Sequence, residues 1–412
     1  MKSRIILALA IFLTAISAYC QVNDLHNSAL EIHNRAHKEA IEAHERATER
    51  HREIMETHKQ SFASFRNARQ VYKTVSANHP NVRYTGRVVK SDDGSVSFDW
   101  SGSYVEICFT GGYLALRVSD TKKNYYNLFV NGVLERVFAT YGKDSLIVLA
   151  GKLKGSQNIV RIQKRTEAEQ GKTTIHSFEL NSKGQILNYD PGRTRHIEFI
   201  GNSITAGFGT EGLSKDEPFK PETENCNLAF GAIISRYFDA DYTFIAHSGW
   251  GAARNYGDTA RVSKTSMKDK MMQTFDMYQQ PLWNFKDYTP SLVVINLGSN
   301  DFSTKPHPLK EEFFMAYSQI VRQLREKYGQ VPILCVAPPL RGMAFEYIKE
   351  FCESANDKNL HFTAYLAGVY NRESDLGSVG HPNYSGQRKI AMNLIPYIST
   401  ITGWPLTDKP VE

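Results

Sequence analysis

Three apolar runs in this chain each end on a small or polar residue that could do chemistry. Ser203 follows "IEFIGN", Gly249 and Gly251 follow "DYTFIAHS", and Asn300 follows "SLVVINLGS". A fourth residue, His381, lies in the loop "DLGSVGHPNYSGQ" ahead of the last periodic stretch. Nucleophilic acyl transfer calls for this set of types. A serine hydroxyl is a weak nucleophile and needs a base of near-neutral pKa, which histidine supplies. The tetrahedral intermediate carries an oxyanion, and that charge needs donors aimed at it in advance. A glycine N–H approaches closely because no side chain intervenes, and an asparagine amide adds a further donor. Singly the signals are weak: a Gly-x-Ser turn is common, an Asn after a strand often caps a helix, and a His before Pro is ordinarily a loop residue. Their shared order and placement make them a set. Ser203 is read as nucleophile and His381 as base, with the Ser203 and Gly249 N–H groups and the Asn300 amide as oxyanion donors. Gly251, in the same turn, is the alternative to Gly249.

The elements that must position these residues are legible in the pattern. Beyond "NYDPGRTR", near-continuous apolar strands ("HIEFIG", "DYTFIAHSG", "SLVVINLGSND", "VPILCVAPP", "LHFTAYL") alternate with helical stretches such as "NLAFGAIISRYF" and "SGQRKIAMNLIPYISTIT". Such alternation predicts a parallel sheet covered by helices on both faces. Ligands of such sheets bind beyond the carboxyl ends of the strands, where the residues above converge.

Upstream, from about Arg83 to Leu187, short alternating strands are punctuated by Asp93-Gly94, Ser101-Gly102, Gly111-Gly112 and Asn131-Gly132. This spacing predicts an all-β sandwich, with a hairpin at Asn131-Gly132. Trp100 reads as a core residue of that sandwich. Residues 21–80 are read as a separate helical segment, poor in Gly and Pro, with histidines 26, 33, 37, 44, 51 and 58 along one face. A solvated spacer, or a weak coiled coil that self-associates along a thin alanine seam, is the simpler reading of it; metal binding or a pH-sensitive association stripe, with His33 and His37 one helical turn apart, is the sharper one.

The first twenty residues have a basic start, an apolar stretch and small residues, the layout of a secretory signal. The expected location is therefore secreted or periplasmic, with a lipid anchor at Cys20 as the alternative. No later segment is long and apolar enough to span a bilayer. The net charge of +6 is spread along 412 residues and forms no nucleic-acid stripe. Cys108 and Cys335 sit in apolar strand patterns, and Cys226 and Cys352 are candidates for pairing. No metal-ligand spacing is present among the cysteines, and no cofactor is expected.

The four blocks at Ser203, Gly249, Asn300 and His381 resemble those of SGNH (GDSL-like) hydrolases, with Asn202 where the commoner form has Asp. "TGR", "FDWSG", "NYYNLFVNG" and "GWGAARNYGD" narrow the similarity to carbohydrate esterase family 2, over residues 83 to 405. The resemblance implies a jelly-roll domain (83–187) followed by a flavodoxin-like SGNH hydrolase domain (193–405). It also implies metal-free removal of acetyl groups from plant polysaccharides such as xylan and glucomannan. Two positions depart from the pattern. Ser378 stands three residues before His381, where the third triad member is usually Asp; Asp375 is farther away. A backbone carbonyl orienting His381 in a Ser–His dyad is the expectation that follows. Gly380 stands where an aromatic often flanks the histidine. Trp250 is expected to stack on a sugar ring, Trp283 to be core, and Asp301, Arg254 and Asn255 to brace loops. The alternatives are a carbohydrate-binding relative with weak turnover and an SGNH esterase acting on a non-carbohydrate ester.

Overall fold

The computed structural model describes residues 72–338, 342–366, 368–371 and 373–412. The signal segment, Cys20 and most of the His-rich stretch therefore lie outside the described residues. From Tyr72 onward the chain forms one compact unit built on two sheets.

The upstream sheet is antiparallel and jelly-roll-like, curled around an apolar cluster that includes Phe98, Val105, Ile107, Leu116, Leu128, Val160 and Phe178. Its longest strands, Leu114–Val130 and Val133–Ala150, form the hairpin expected at Asn131-Gly132. Both turn residues have positive φ, 50° and 85°, the conformation whose twist suits a two-residue hairpin. The strand Tyr72–Ser76 also belongs to this sheet, pairing with Thr173–Asn181, so the antiparallel unit starts upstream of residue 83.

The downstream sheet has five parallel strands in the spatial order Ala240–Ala246, Arg195–Gly201, Leu292–Asn296, Ile333–Ala337, Leu360–Ala364. In chain order this is 2-1-3-4-5, the flavodoxin-like arrangement, whose switch point falls between the first and third strands. The three inner strands and Ala240–Ala246 are buried on both faces, which explains their unbroken apolar runs. Helices Phe230–Tyr237 and Tyr384–Thr402 pack with one cluster, and Lys310–Tyr328 and Met343–Ser354 with the other. Trp100 corrects an expectation. It is buried in the cluster beneath the parallel sheet, beside Ala252, Met267 and Trp283, and its indole N–H donates to Thr274 O at 2.9 Å. It joins the two sheets instead of filling the sandwich. Trp283 is core, as expected.

All four described cysteines are buried free thiols. Cys226 donates to Lys164 O and sits in a different apolar cluster from Cys352, so the two candidates for pairing are not bonded. No described helix is long and apolar enough to cross a membrane.

Candidate active site

The first parallel strand runs out at Gly201, and Asn202 caps the four-residue helix Ser203–Ala206 by accepting from the Ile204 N–H. Ser203 is thereby the first residue of a helix, at the edge where the strands end. Its Oγ lies 2.8 Å from His381 Nε2. The other ring nitrogen, Nδ1, lies 3.2 Å from Val379 O. A carbonyl only accepts, so Nδ1 carries the hydrogen and Nε2 keeps its lone pair for the serine proton. The group beside Nδ1 is thus a main-chain carbonyl and not a carboxylate.

The backbone is bent to reach it. Val379 has φ 55° and ψ 34°, a left-handed conformation that a β-branched residue rarely takes and that costs on the order of 1–3 kcal/mol. The turn is held by Val379 N–H donating to Glu217 O and His381 N–H donating to Ser378 O. Asp375 does not touch the imidazole. Its buried carboxylate accepts from the Asn371 N–H, from Ser385 Oγ and from Lys389 Nζ, which ties the loop to the start of the last helix. Burial lowers the pKa of His381 below its ordinary value, and the Val379 and Ser378 carbonyls offset this only in part. The imidazole is therefore neutral, and able to accept a proton, at neutral pH.

The three expected donors stand where three parallel strands end. Among the described residues neither the Ser203 N–H nor the Gly249 N–H has a hydrogen-bond acceptor. Gly249 has φ 80°, in the region that favours glycine. The Asn300 amide donates one hydrogen to Trp250 O at 2.9 Å, which aims the side chain and leaves the second hydrogen free. The Gly251 N–H, by contrast, is committed to Asn255 Oδ1. Asn202 Nδ2 donates to Ser299 Oγ at 2.9 Å, linking the first and third blocks. Asp301 is fully buried and accepts from the N–H groups of Ala252, Ala253 and Arg254 at 2.7–3.0 Å. It braces the second block as well as its own loop. Arg254 donates to the carbonyls of Asp258, Ala260 and Lys305.

The aromatic surroundings differ from expectation. Trp250 is half-buried, with Lys270 Nζ 4.4 Å from its ring centroid and the His247 ring at 4.9 Å. Its faces already have partners. Tyr256 is 64% exposed and adjoins Gly249, its N–H donating to Gly249 O at 2.7 Å. Phe208 packs against His381 at 4.5 Å and stacks on Phe219 at 4.0 Å, giving the site an aromatic flank. Sequence reasoning passed over Tyr256 and Phe208, and it expected a main-chain carbonyl beside His381 without assigning it to Val379. For Tyr256 the signal was its place in "GWGAARNYGD"; for a main-chain carbonyl no residue type gives one.

Similarity to known proteins bears on the fold and the family. Residues 84–189 match the carbohydrate esterase 2 N-terminal family model, and residues 199–389 match the GDSL-like lipase/acylhydrolase family model. The chain is 31% identical over 341 residues to the cellulase/esterase CelE of Acetivibrio thermocellus; that is 81% of this chain but 41% of the relative, so it spans less than half of that protein. It is 28% identical to an acetylxylan esterase / glucomannan deacetylase of Cellvibrio japonicus, covering 75% of this chain and 87% of that one. Among solved structures, a family two carbohydrate esterase from Clostridium thermocellum in complex with cellohexaose superposes with a TM-score of 0.72. That match has 31% identity and covers 79% of this chain and all of the other.

Proposed function

The chain belongs to carbohydrate esterase family 2, and we propose that it is a serine esterase that removes O-acetyl groups from plant polysaccharides of the xylan or glucomannan type. The observation that carries the reading is the 2.8 Å approach of His381 Nε2 to Ser203 Oγ, with Nδ1 held on a carbonyl. In the first half-reaction Ser203 Oγ attacks the acetyl carbonyl while Nε2 takes its proton. The Ser203 and Gly249 N–H groups and the free Asn300 amide hydrogen receive the oxyanion. The intermediate collapses, the C–O bond to the sugar breaks, and His381 returns the proton to the departing sugar oxygen. Water, deprotonated by the same imidazole, then attacks the acetyl-serine, releasing acetate and restoring the hydroxyl. Each of these steps uses side chains and backbone of the chain itself. Tyr256, exposed beside the oxyanion turn, offers a ring face for a sugar more freely than Trp250 does.

A second reading is supported by the cellohexaose complex of the clostridial relative: the same cleft holds unsubstituted β-glucan chains with little turnover. The two are separated by assaying acetate release from acetylated xylan, acetylated glucomannan, p-nitrophenyl acetate and a long-chain ester, beside cello-oligosaccharide binding. Release from the acetylated glycans, lost in Ser203→Ala by roughly 10⁴-fold or more, is the expected result. Glucan binding without acetate release favours the second reading, and preference for the long-chain ester overturns both.

A further inference from the structure

The segment Lys164-Arg165-Thr166-Glu167 belongs to the antiparallel unit, at and just beyond the end of the strand Asn158–Lys164, yet all four side chains are at most 3% exposed. Four consecutive polar residues are almost never buried together without partners. Here Lys164 and Thr166 are satisfied within their own unit, and Arg165 and Glu167 draw partners from the other. Arg165 donates to the carbonyls of Glu222 and Glu224, and Lys164 Nζ donates to Thr166 O and Glu167 O. Glu167 reaches farthest. One carboxylate oxygen accepts from the Ser248 N–H and the other from Ser248 Oγ, both at 2.5 Å. Ser248 immediately precedes Gly249.

We propose that Glu167 is a positioning residue for the esterase reaction, fixing the second-block turn so that the Gly249 N–H is presented to the developing oxyanion. The proposal rests on the reading of Ser203, Gly249 and His381 given above. Glycine is the residue least able to hold its own conformation, so the direction of the Gly249 N–H is set by what grips its neighbours. On the C-terminal side, Gly249 O accepts from the Tyr256 N–H, and Trp250 N–H donates to His247 O. On the N-terminal side the two Glu167 bonds fix both the backbone and the side chain of Ser248. The surroundings keep Glu167 an acceptor. Its neighbour Glu224, wholly buried, accepts from the Glu167 N–H and is raised well above the carboxylate range by burial and then by the Glu167 charge. Burial pushes Glu167 upward as well, against the pull of His247 and the Ser248 donors. For His247, burial acts downward, but hydrogen bonds to Asp276 and Glu169 outweigh it and push the imidazole up to about 10. An imidazolium thus stands one residue before Ser248 and faces the Glu167 charge.

The test is steady-state kinetics on p-nitrophenyl acetate with the full chain, for wild type, Ser203→Ala, Glu167→Ala, Glu167→Gln and Ser248→Ala, with thermal midpoints for each. Removing an oxyanion donor outright costs about 10²–10³ in kcat, so misaiming one is expected to cost roughly 10- to 100-fold. Glu167→Ala should lose that much kcat with KM within about twofold, and Glu167→Gln, which keeps an acceptor oxygen in place, should regain most of it. Ser248→Ala, which keeps the buried carboxylate and one bond, should show a smaller kcat loss with the same constant KM. A residue serving only as glue between the sheets would lower the thermal midpoint and leave kcat per folded molecule unchanged. Wild-type kcat in Glu167→Ala, or in Ser248→Ala should Glu167→Ala fail to fold, overturns the inference while leaving the esterase reading intact. An inactive wild type sinks the esterase reading, and this inference with it.

Discussion

At the scale of single residues, the proposed mechanism turns on which nitrogen of His381 holds a proton. Only the neutral ring can take the serine proton, and burial has moved its pKa below the usual histidine value. Activity should therefore rise with pH through the folded pKa and level off early. We predict an acidic limb of kcat/KM on p-nitrophenyl acetate whose midpoint lies below the ordinary histidine value of about 6.5. A limb centred above that value would contradict the geometry. Asp375 supplies the contrast. Its carboxyl pKa is lowered; burial pushes the other way, but the Lys389, Asn371 and Ser385 hydrogen bonds prevail. A depressed carboxylate stabilises the fold above its unfolded pKa of about 3.9 and loses that contribution as pH falls through the folded value. Asp375→Asn should accordingly lower the thermal midpoint at neutral pH while leaving the acidic limb of the rate profile in place. A shifted limb would make Asp375 a partner of the imidazole. The sequence exposed the gap at Ser378 plainly, but the carbonyl that fills it belongs to Val379, and main-chain atoms have no signature in residue type.

At the scale of elements, the helix carrying Ser203 is only four residues long and depends on its ends. Asn202 caps it, and Gly207, at φ 87°, closes it by turning left-handed. A Cβ at Gly207 would stand 2.7–2.8 Å from backbone atoms of Asn225 and Cys226, which are in no position to yield. Gly207→Ala should therefore cost more than the ~1 kcal/mol that a compatible site would gain, measured by denaturant unfolding. It should also lower kcat, because the displaced helix carries the nucleophile. Full activity and stability in this variant would mean that the turn relaxes freely. The five strands and the four long helices of the parallel unit were legible, since burial on both faces writes an apolar run and a covered helix writes a period of 3.6; the four-residue helices Ser203–Ala206 and Met267–Lys270 are too short to write one. The Asn131-Gly132 hairpin was legible for a sharper reason, as positive φ at both positions restricts the residues that fit.

At the scale of the whole molecule, the two sheets share buried charge. Arg87 of the antiparallel unit is fully buried; it donates to the carbonyls of Met271 and Gln273 at 2.6 and 2.7 Å and stands 3.6 Å from Glu198 on the first parallel strand. The Phe285 and Trp283 rings flank it at 5.2 and 5.5 Å. Tyr288 and Tyr328 also donate to Glu198. A second set joins Arg83 and Arg193 to Glu106 and Asp241. Removing one partner of a buried pair leaves the other charge stranded, at a cost of about 3–5 kcal/mol. Arg87→Ala should lose that much in urea unfolding while the transition remains single. Two separable transitions in the wild type would instead mean that the sheets fold independently. None of these cross-unit contacts was legible. "TGR" and "FDWSG" were seen as markers of a resemblance, while their side chains, Arg87 and Trp100, bind the neighbouring sheet.

The residue order of this chain was sufficient for its main types of element, for the three strand-end blocks with the histidine loop, and for expecting Ser203 beside His381. Those features follow from short-range rules: periodicity of burial, turn chemistry, and the convergence of parallel strands at one edge. Tertiary structure alone decided which carbonyl turns the imidazole, which aromatic ring stays open to a ligand, and how a carboxylate from the upstream sheet comes to grip Ser248. These depend on distances between atoms far apart in the chain, and such distances are fixed only when the two sheets pack against each other.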